Sequence, residues 1–257
     1  MVHMLALGVF FSGCVKDLVC LPRPLSPPLQ RISMSGSAKL EYGFPSTHST
    51  NAVSAAMYII YNLHLGHTDI EPHIRPLALT AGYWFVTSIV VGRLYCGMHG
   101  FFDVVIGSAL GALIAGLQLS YESIFDAWIE QEGYTRPLVL VIVTLLAVRF
   151  HPEPADNCPC FDDSVAFAGV IMGIDCGHWS FSRSRFSSRY PTLGTVPFDF
   201  AALGLPTIIL RITLGVGIIL LWRSCIKSVL LRCLPPLFRQ IEIIGLGLPR
   251  RFFTTAR

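Results

Sequence analysis

The sequence predicts an all-α, multi-pass membrane protein. Three observations carry that reading. Of its 257 residues, 53% are hydrophobic and 14% charged, where an average soluble domain is about 25% charged. Mean hydropathy is +0.59. The apolar residues also gather into blocks close to span length, separated by polar or proline-rich stretches. A soluble chain so poor in charge could not cover its own surface, so the bilayer is the expected solvent.

The elements follow in order, with six to seven spans expected. The first block, about 1–15, has no basic leader or small-residue cleavage site before Lys16. It reads as the end of a membrane helix rather than a signal peptide; being shorter than the roughly 20 residues a span needs, it is read as truncated, either because the chain is a fragment or because the sequence starts late. From Lys16 to His48 the chain is polar and carries Pro22, Pro24, Pro27, Pro28 and Pro45, a density that forbids a continuous helix. Further spans are expected at about 50–65, 77–96, 102–120, 138–150, 164–181 and 200–222. The fourth carries Gly107, Gly111 and Gly116, small residues that let helices approach closely. The segment 226–248 is apolar but cut by Arg232, Pro235, Pro236, Arg239 and Glu242, which suggests a re-entrant or interfacial piece. A membrane domain over 1–225 and a tail over 226–257 are therefore expected.

Two classes of partner are disfavoured. The net charge of +3 is small, so nucleic acid is not implied. The eight cysteines form no CxxC pair. Cys158 and Cys160 have the wrong spacing for zinc, so packing in apolar segments is the expected role, with a Cys158–Cys160 disulfide as the lesser option.

The chemistry sits in three clusters. They are Lys16-Asp17 with Arg23-Pro24, then Pro45-Ser46-Thr47-His48-Ser49, and then Arg93 through His99 to Asp103. Counting membrane crossings brings them together. The first cluster ends one span and the second begins the next, so both lie on one membrane face. One span leaves that face and the following one returns to it beside the third cluster.

Three cations there, Lys16, Arg23 and Arg93, predict an anion, and the arginine fork suits phosphate oxygens. Thr47 and Ser49 stand at a helix start, whose free N–H groups favour phosphate. His99 and Asp103, four apart on one helical face, pair so that Asp103 accepts the Nδ1 proton and leaves Nε2 free to attack. His48 is a second imidazole, able to protonate a leaving alkoxide. An oriented nucleophile, an acid and a cationic cradle suffice for phosphoryl transfer with no metal or other cofactor.

These motifs resemble the type 2 phosphatidic acid phosphatase (lipid phosphate phosphatase) superfamily, which includes bacterial acid phosphatases and vanadium haloperoxidases. The resemblance implies their six-helix core. It also implies that Lys16, Arg23 and Arg93 bind phosphate with help from Ser46 and the Thr47 backbone. His99 would form a phosphohistidine, Asp103 would orient it, and His48 would protonate the leaving group and later activate water. Thr47 stands where the general pattern has Gly, which leaves its N–H in place. Gly92 stands where the pattern has Ser, which removes one hydroxyl contact.

Cys20 to Pro28, Glu41 to Ala52, His151 to Pro154 and Cys158 to Asp163 look closer still to the long-chain-base (sphingosine) 1-phosphate phosphatases, especially fungal ones. That likeness covers roughly 14–225. It implies a phosphorylated sphingoid base as substrate among the membrane lipids, and the endoplasmic reticulum membrane with the active site facing the lumen. With that orientation the loop 182–199, carrying Arg183, Arg185 and Arg189, falls in the cytosol, as the positive-inside rule asks. The alternatives are another lipid phosphate, such as phosphatidate or an isoprenoid pyrophosphate, or a non-catalytic scaffold or lipid transporter.

Overall fold

The computed structural model describes residues 1–33, 38, 40–65, 70–156, 158–184 and 200–243. Among them every regular element is a helix: α1 Val2–Val19, α2 Thr47–Leu65, α3 Arg75–Tyr95, α4 Phe101–Ile129, α5 Thr135–Arg149, α6 Cys160–Ser182, α7 Phe200–Leu203 and α8 Leu205–Ile243. Each expected span is helical. Among the described residues four helices are long and apolar enough to cross a membrane: α1, α3, α4 and the stretch Leu205–Gln240 of α8. α5, at 15 residues, is about 22 Å long, short of the roughly 30 Å hydrocarbon core. α2 carries Thr47, His48, Ser49, Thr50, Asn51 and Ser54 in its first half, and α6 carries Asp162, Asp163 and Asp175.

Residues 1–187 and 188–257 form two compact units. In the second, α8 runs on through Pro235 and Pro236. The piece expected at 226–248, re-entrant or interfacial, is helical as far as Ile243 and continuous with the span before it. Two tandem prolines remove backbone donors, but the leucine- and isoleucine-rich turns on either side keep the helix going. Residues 244–257, and Arg185 and Arg189, lie outside the described residues.

Helix ends in the first unit explain where the site forms. α1 stops at Cys20, whose φ of 53° is left-handed, and Pro22 and Pro24 then keep the chain extended. α2 starts because Ser46 caps it: the Ser49 N–H donates to Ser46 Oγ at 3.3 Å. α3 ends in a turn closed by Gly97 at φ 61°, with its N–H on the Leu94 carbonyl at 3.0 Å. Asp103 Oδ2 accepts the Gly100 N–H at 2.7 Å and so starts α4.

α2 and α4 pack through glycine, as expected. A Cβ on Gly107 would lie 2.6 Å from the Ser46 carbonyl oxygen, and one on Gly111 would strike the Thr50 carbonyl. Thr50 Oγ1 bridges the helices, donating toward the Gly107 carbonyl at 2.9 Å. Gly116 has open space beside it, so the expectation fails for that third glycine. Met4, Ile114 and Ala115 form the buried apolar cluster, with Leu7, Tyr58 and Leu110 against it. α3 buries none of its residues. Its exposed Leu77, Tyr83, Trp84 and Phe85 suit a lipid-facing surface. Cys158 and Cys160 are disulfide-bonded, with Cα atoms 5.4 Å apart. This corrects the packing role expected of that pair, because their Cα separation falls in the range a disulfide needs.

Candidate active site

Five short segments meet at one end of the first unit. The last turn of α1 supplies Lys16, and the extended chain after it supplies Arg23. The start of α2 gives Ser46, Thr47 and His48. The end of α3 gives Arg93, and the turn into α4 gives His99 and Asp103. Lys16, Arg23 and His99 are buried, at 6%, 7% and 4% exposure. Arg23 pairs with Glu41, and Lys16 lies in the field of Glu41, Asp163 and Asp17; burying such cations is costly even so, and their N–H groups are donors that an anion can take up.

His99 and Arg23 lie at its centre. The His99 Nδ1 stands 2.8 Å from the Gly43 carbonyl oxygen. A carbonyl only accepts, so Nδ1 carries the proton. Arg23 Nη1 stands 3.2 Å from His99 Nε2. A guanidinium only donates, so Nε2 presents its lone pair. Two independent contacts thus assign the same tautomer. Burial, followed by the charges of Arg23 and Lys16, pushes the His99 pKa down to about 3, which keeps the ring neutral at physiological pH.

This differs from the expected use of Asp103. Its Oδ2 lies 3.8 Å from His99 Nδ1, beyond hydrogen-bond range. Gly43 holds the proton instead, because Asp103 is turned to the Gly100 N–H. Asp103 still faces the imidazole electrostatically. Gly43 reaches His99 because it packs closely on the chain before it: a Cβ there would meet Arg23 Cα at 3.0 Å. Its own N–H donates to the Leu21 carbonyl at 2.8 Å.

The other expected residues converge with different directness. Ser46 is fully buried; its N–H donates to the Asp103 carbonyl at 2.9 Å, which ties the α2 start to α4. The Thr47 hydroxyl pairs with Ser12 at 2.8 Å, which ties it to α1. His48 is exposed and lies within electrostatic reach of Arg93, Lys16 and Arg23. Arg93 stays at the end of α3 with no hydrogen-bond partner on its buried Nε.

Three contributors were missed in the sequence. Gly43 acts through its backbone, which no residue type announces. Ser12 sits one helical turn before Lys16, the i, i+4 relation that signals a shared face. Glu41 is the largest omission. Its Oε2 accepts from Arg23 Nη2 at 2.6 Å, and a lone acid beside a motif of cations was the available signal.

The PAP2 superfamily profile matches residues 1–125, a range that holds all the expected site residues. A dihydrosphingosine 1-phosphate phosphatase of Schizosaccharomyces pombe is 39% identical over 241 residues, covering 94% of this chain and 57% of the relative. A second from Saccharomyces cerevisiae is 35% identical, over 89% of this chain and 54% of the relative. Sphingosine-1-phosphate phosphatase 2 of Mus musculus is 26% identical, over 91% and 65% respectively. The chain spans a little over half the length of the two fungal relatives. No solved structure matches it. The match over residues 1–125 marks a PAP2 superfamily domain in this chain.

Proposed function

We propose that this chain hydrolyses long-chain (sphingoid) base 1-phosphates through a phosphohistidine on His99, without a metal. One observation carries the chemistry. His99 has Nδ1 tied to Gly43 at 2.8 Å and Nε2 facing Arg23 at 3.2 Å, a neutral nucleophile aimed at a phosphate-binding cation. The substrate class is supported by the dihydrosphingosine 1-phosphate phosphatases that the chain resembles.

Two half-reactions follow. The phosphoryl group enters beside Arg23, takes the guanidinium N–H groups onto its own oxygens, and gains further charge compensation from Lys16 and Arg93. Ser46 and the Thr47 N–H, at the α2 start, add donors. The Nε2 lone pair attacks phosphorus as the P–O bond to the lipid breaks. The bonding pair leaves on the alkoxide, which His48 protonates. In the second half, His48 takes a proton from water, the oxygen attacks phosphorus and the P–N bond breaks. The products are inorganic phosphate and the free sphingoid base. Asp103 stabilises the positive charge that the phosphorylated imidazole acquires. Removing one such donor or cation typically costs about 10²–10³ in rate.

The proposed setting is the endoplasmic reticulum membrane with the site toward the lumen. The catalytic domain is taken as 1–225, and 226–257 as a tail. The test is phosphate release from dihydrosphingosine 1-phosphate by purified protein in lipid micelles. Expected are turnover that survives EDTA, inhibition by vanadate, and loss of activity in His99→Ala. Full activity of His99→Ala would refute the reading.

A further inference from the structure

The buried cradle contains a charge that phosphate does not want. Glu41 lies one guanidinium away from the nucleophile: Arg23 Nη1 is 3.2 Å from His99 Nε2, and Arg23 Nη2 is 2.6 Å from Glu41 Oε2. Glu41 is also within electrostatic reach of Lys16 and His48. A carboxylate in that position repels a phosphate dianion and holds one arm of the guanidinium that should bind it. Its side chain is only partly covered, at 28% exposure, and it lines a cavity of about 610 Å³ that also touches Arg23. Leu25, Leu40, Tyr42, Asp156 and the cation Arg31 also line that cavity. A ligand headgroup held on Arg23 therefore lies beside Glu41.

We propose that Glu41 forms an ammonium subsite beside the phosphate cradle, which selects lipids carrying a protonated amine on the carbon next to the phosphoester carbon. When phosphate takes the N–H groups of Arg23, Glu41 loses part of its partner, and the incoming ammonium replaces it. The exchange keeps the half-buried acid compensated throughout. A diacyl glycerophosphate offers only ester oxygens at that position. These cannot donate, so its phosphate would face Glu41 with nothing to offset the repulsion. The subsite rests on the phosphatase reading above and adds to it the feature that separates sphingoid-base phosphates from other lipid phosphates.

The test compares dihydrosphingosine 1-phosphate with an alkyl phosphate of the same chain length lacking the amine, both in mixed micelles with the full chain. A hydrogen bond between charged groups supports a wild-type preference for the amine substrate of roughly 10- to 100-fold in kcat/KM. Glu41→Gln is expected to collapse that ratio toward one, mainly by raising KM for the amine substrate, while Glu41→Asp restores part of it. Equal loss on both substrates in Glu41→Gln would reduce Glu41 to a holder of Arg23 and overturn the proposal. So would a wild-type enzyme with no preference, a measurement that needs no variant to fold. Hydrolysis of neither substrate by the wild type would refute the phosphatase reading and the subsite with it, a result distinct from the loss of preference alone.

Discussion

Replacing Asp103 by Asn separates two accounts of how His99 is oriented. If the carboxylate held the Nδ1 proton, Asn would permit the wrong tautomer, and the loss would approach the roughly 10⁴-fold known for the serine-protease triad. Here the proton goes to the Gly43 carbonyl at 2.8 Å, while Asp103 Oδ2 stands at 3.8 Å and accepts from Gly100. In Asp103→Asn the side-chain amide keeps an oxygen for Gly100, and Gly43 keeps the tautomer. What disappears is the interaction of a carboxylate with the charge that develops on the imidazole. At 3.8 Å and an effective dielectric of about 20, two full charges interact by about 4 kcal/mol. Only part of a charge develops before the transition state, which leaves roughly 1.5–3 kcal/mol, or about 10- to 100-fold in kcat. The assay is steady-state hydrolysis of dihydrosphingosine 1-phosphate by the purified variant, with its thermal midpoint measured alongside. A loss near 10⁴-fold at an unchanged midpoint would refute the reasoning and return the Nδ1 proton to Asp103.

The remaining predictions concern packing and pH. Gly107→Ala puts a methyl 2.6 Å from the Ser46 carbonyl, so it should destabilise by about 1–3 kcal/mol and lower activity by displacing the α2 start. Gly116→Ala, with open space around it, should change neither in a thermal melt and activity assay. The His99 pKa lies at about 3, against about 6.5 when unfolded. Between those values the unfolded chain binds a proton that the native site refuses, so this group's contribution to stability is full above the window and is lost as pH falls through it. Nitrogen-labelled histidine NMR of the detergent-solubilised protein at about pH 5 should find His99 neutral and protonated on Nδ1; a doubly protonated ring would contradict the geometry.

The helices were legible because long apolar blocks ended at prolines and glycines, and each expected span proved helical. The run of α8 on past residue 225 was not, because a proline pair reads as a break while its neighbours favour continuing the helix. The convergence of Lys16, Arg23, His48, Arg93 and His99 was legible from membrane parity together with residue type. The hydrogen bonds inside that cluster were not. The i, i+4 spacing of His99 and Asp103 is equally compatible with a side-chain pair and with a capping acid. Only the chain's path beside Arg23, which brings the Gly43 carbonyl to the imidazole, decides between them. Glu41 escaped for a related reason: a single acid in a loop has no periodicity, and its significance lies in which guanidinium it meets.

The central claim is that His99 Nε2 takes the phosphoryl group. Its most direct test is to react His48→Ala protein with ³²P-labelled dihydrosphingosine 1-phosphate, quench in alkali and map the label by peptide mass spectrometry. The account predicts an acid-labile, alkali-stable phosphoryl group on the peptide containing His99, which hydroxylamine removes and which His99→Ala lacks. Label on any other residue, or unchanged labelling in the double variant lacking both histidines, would contradict it.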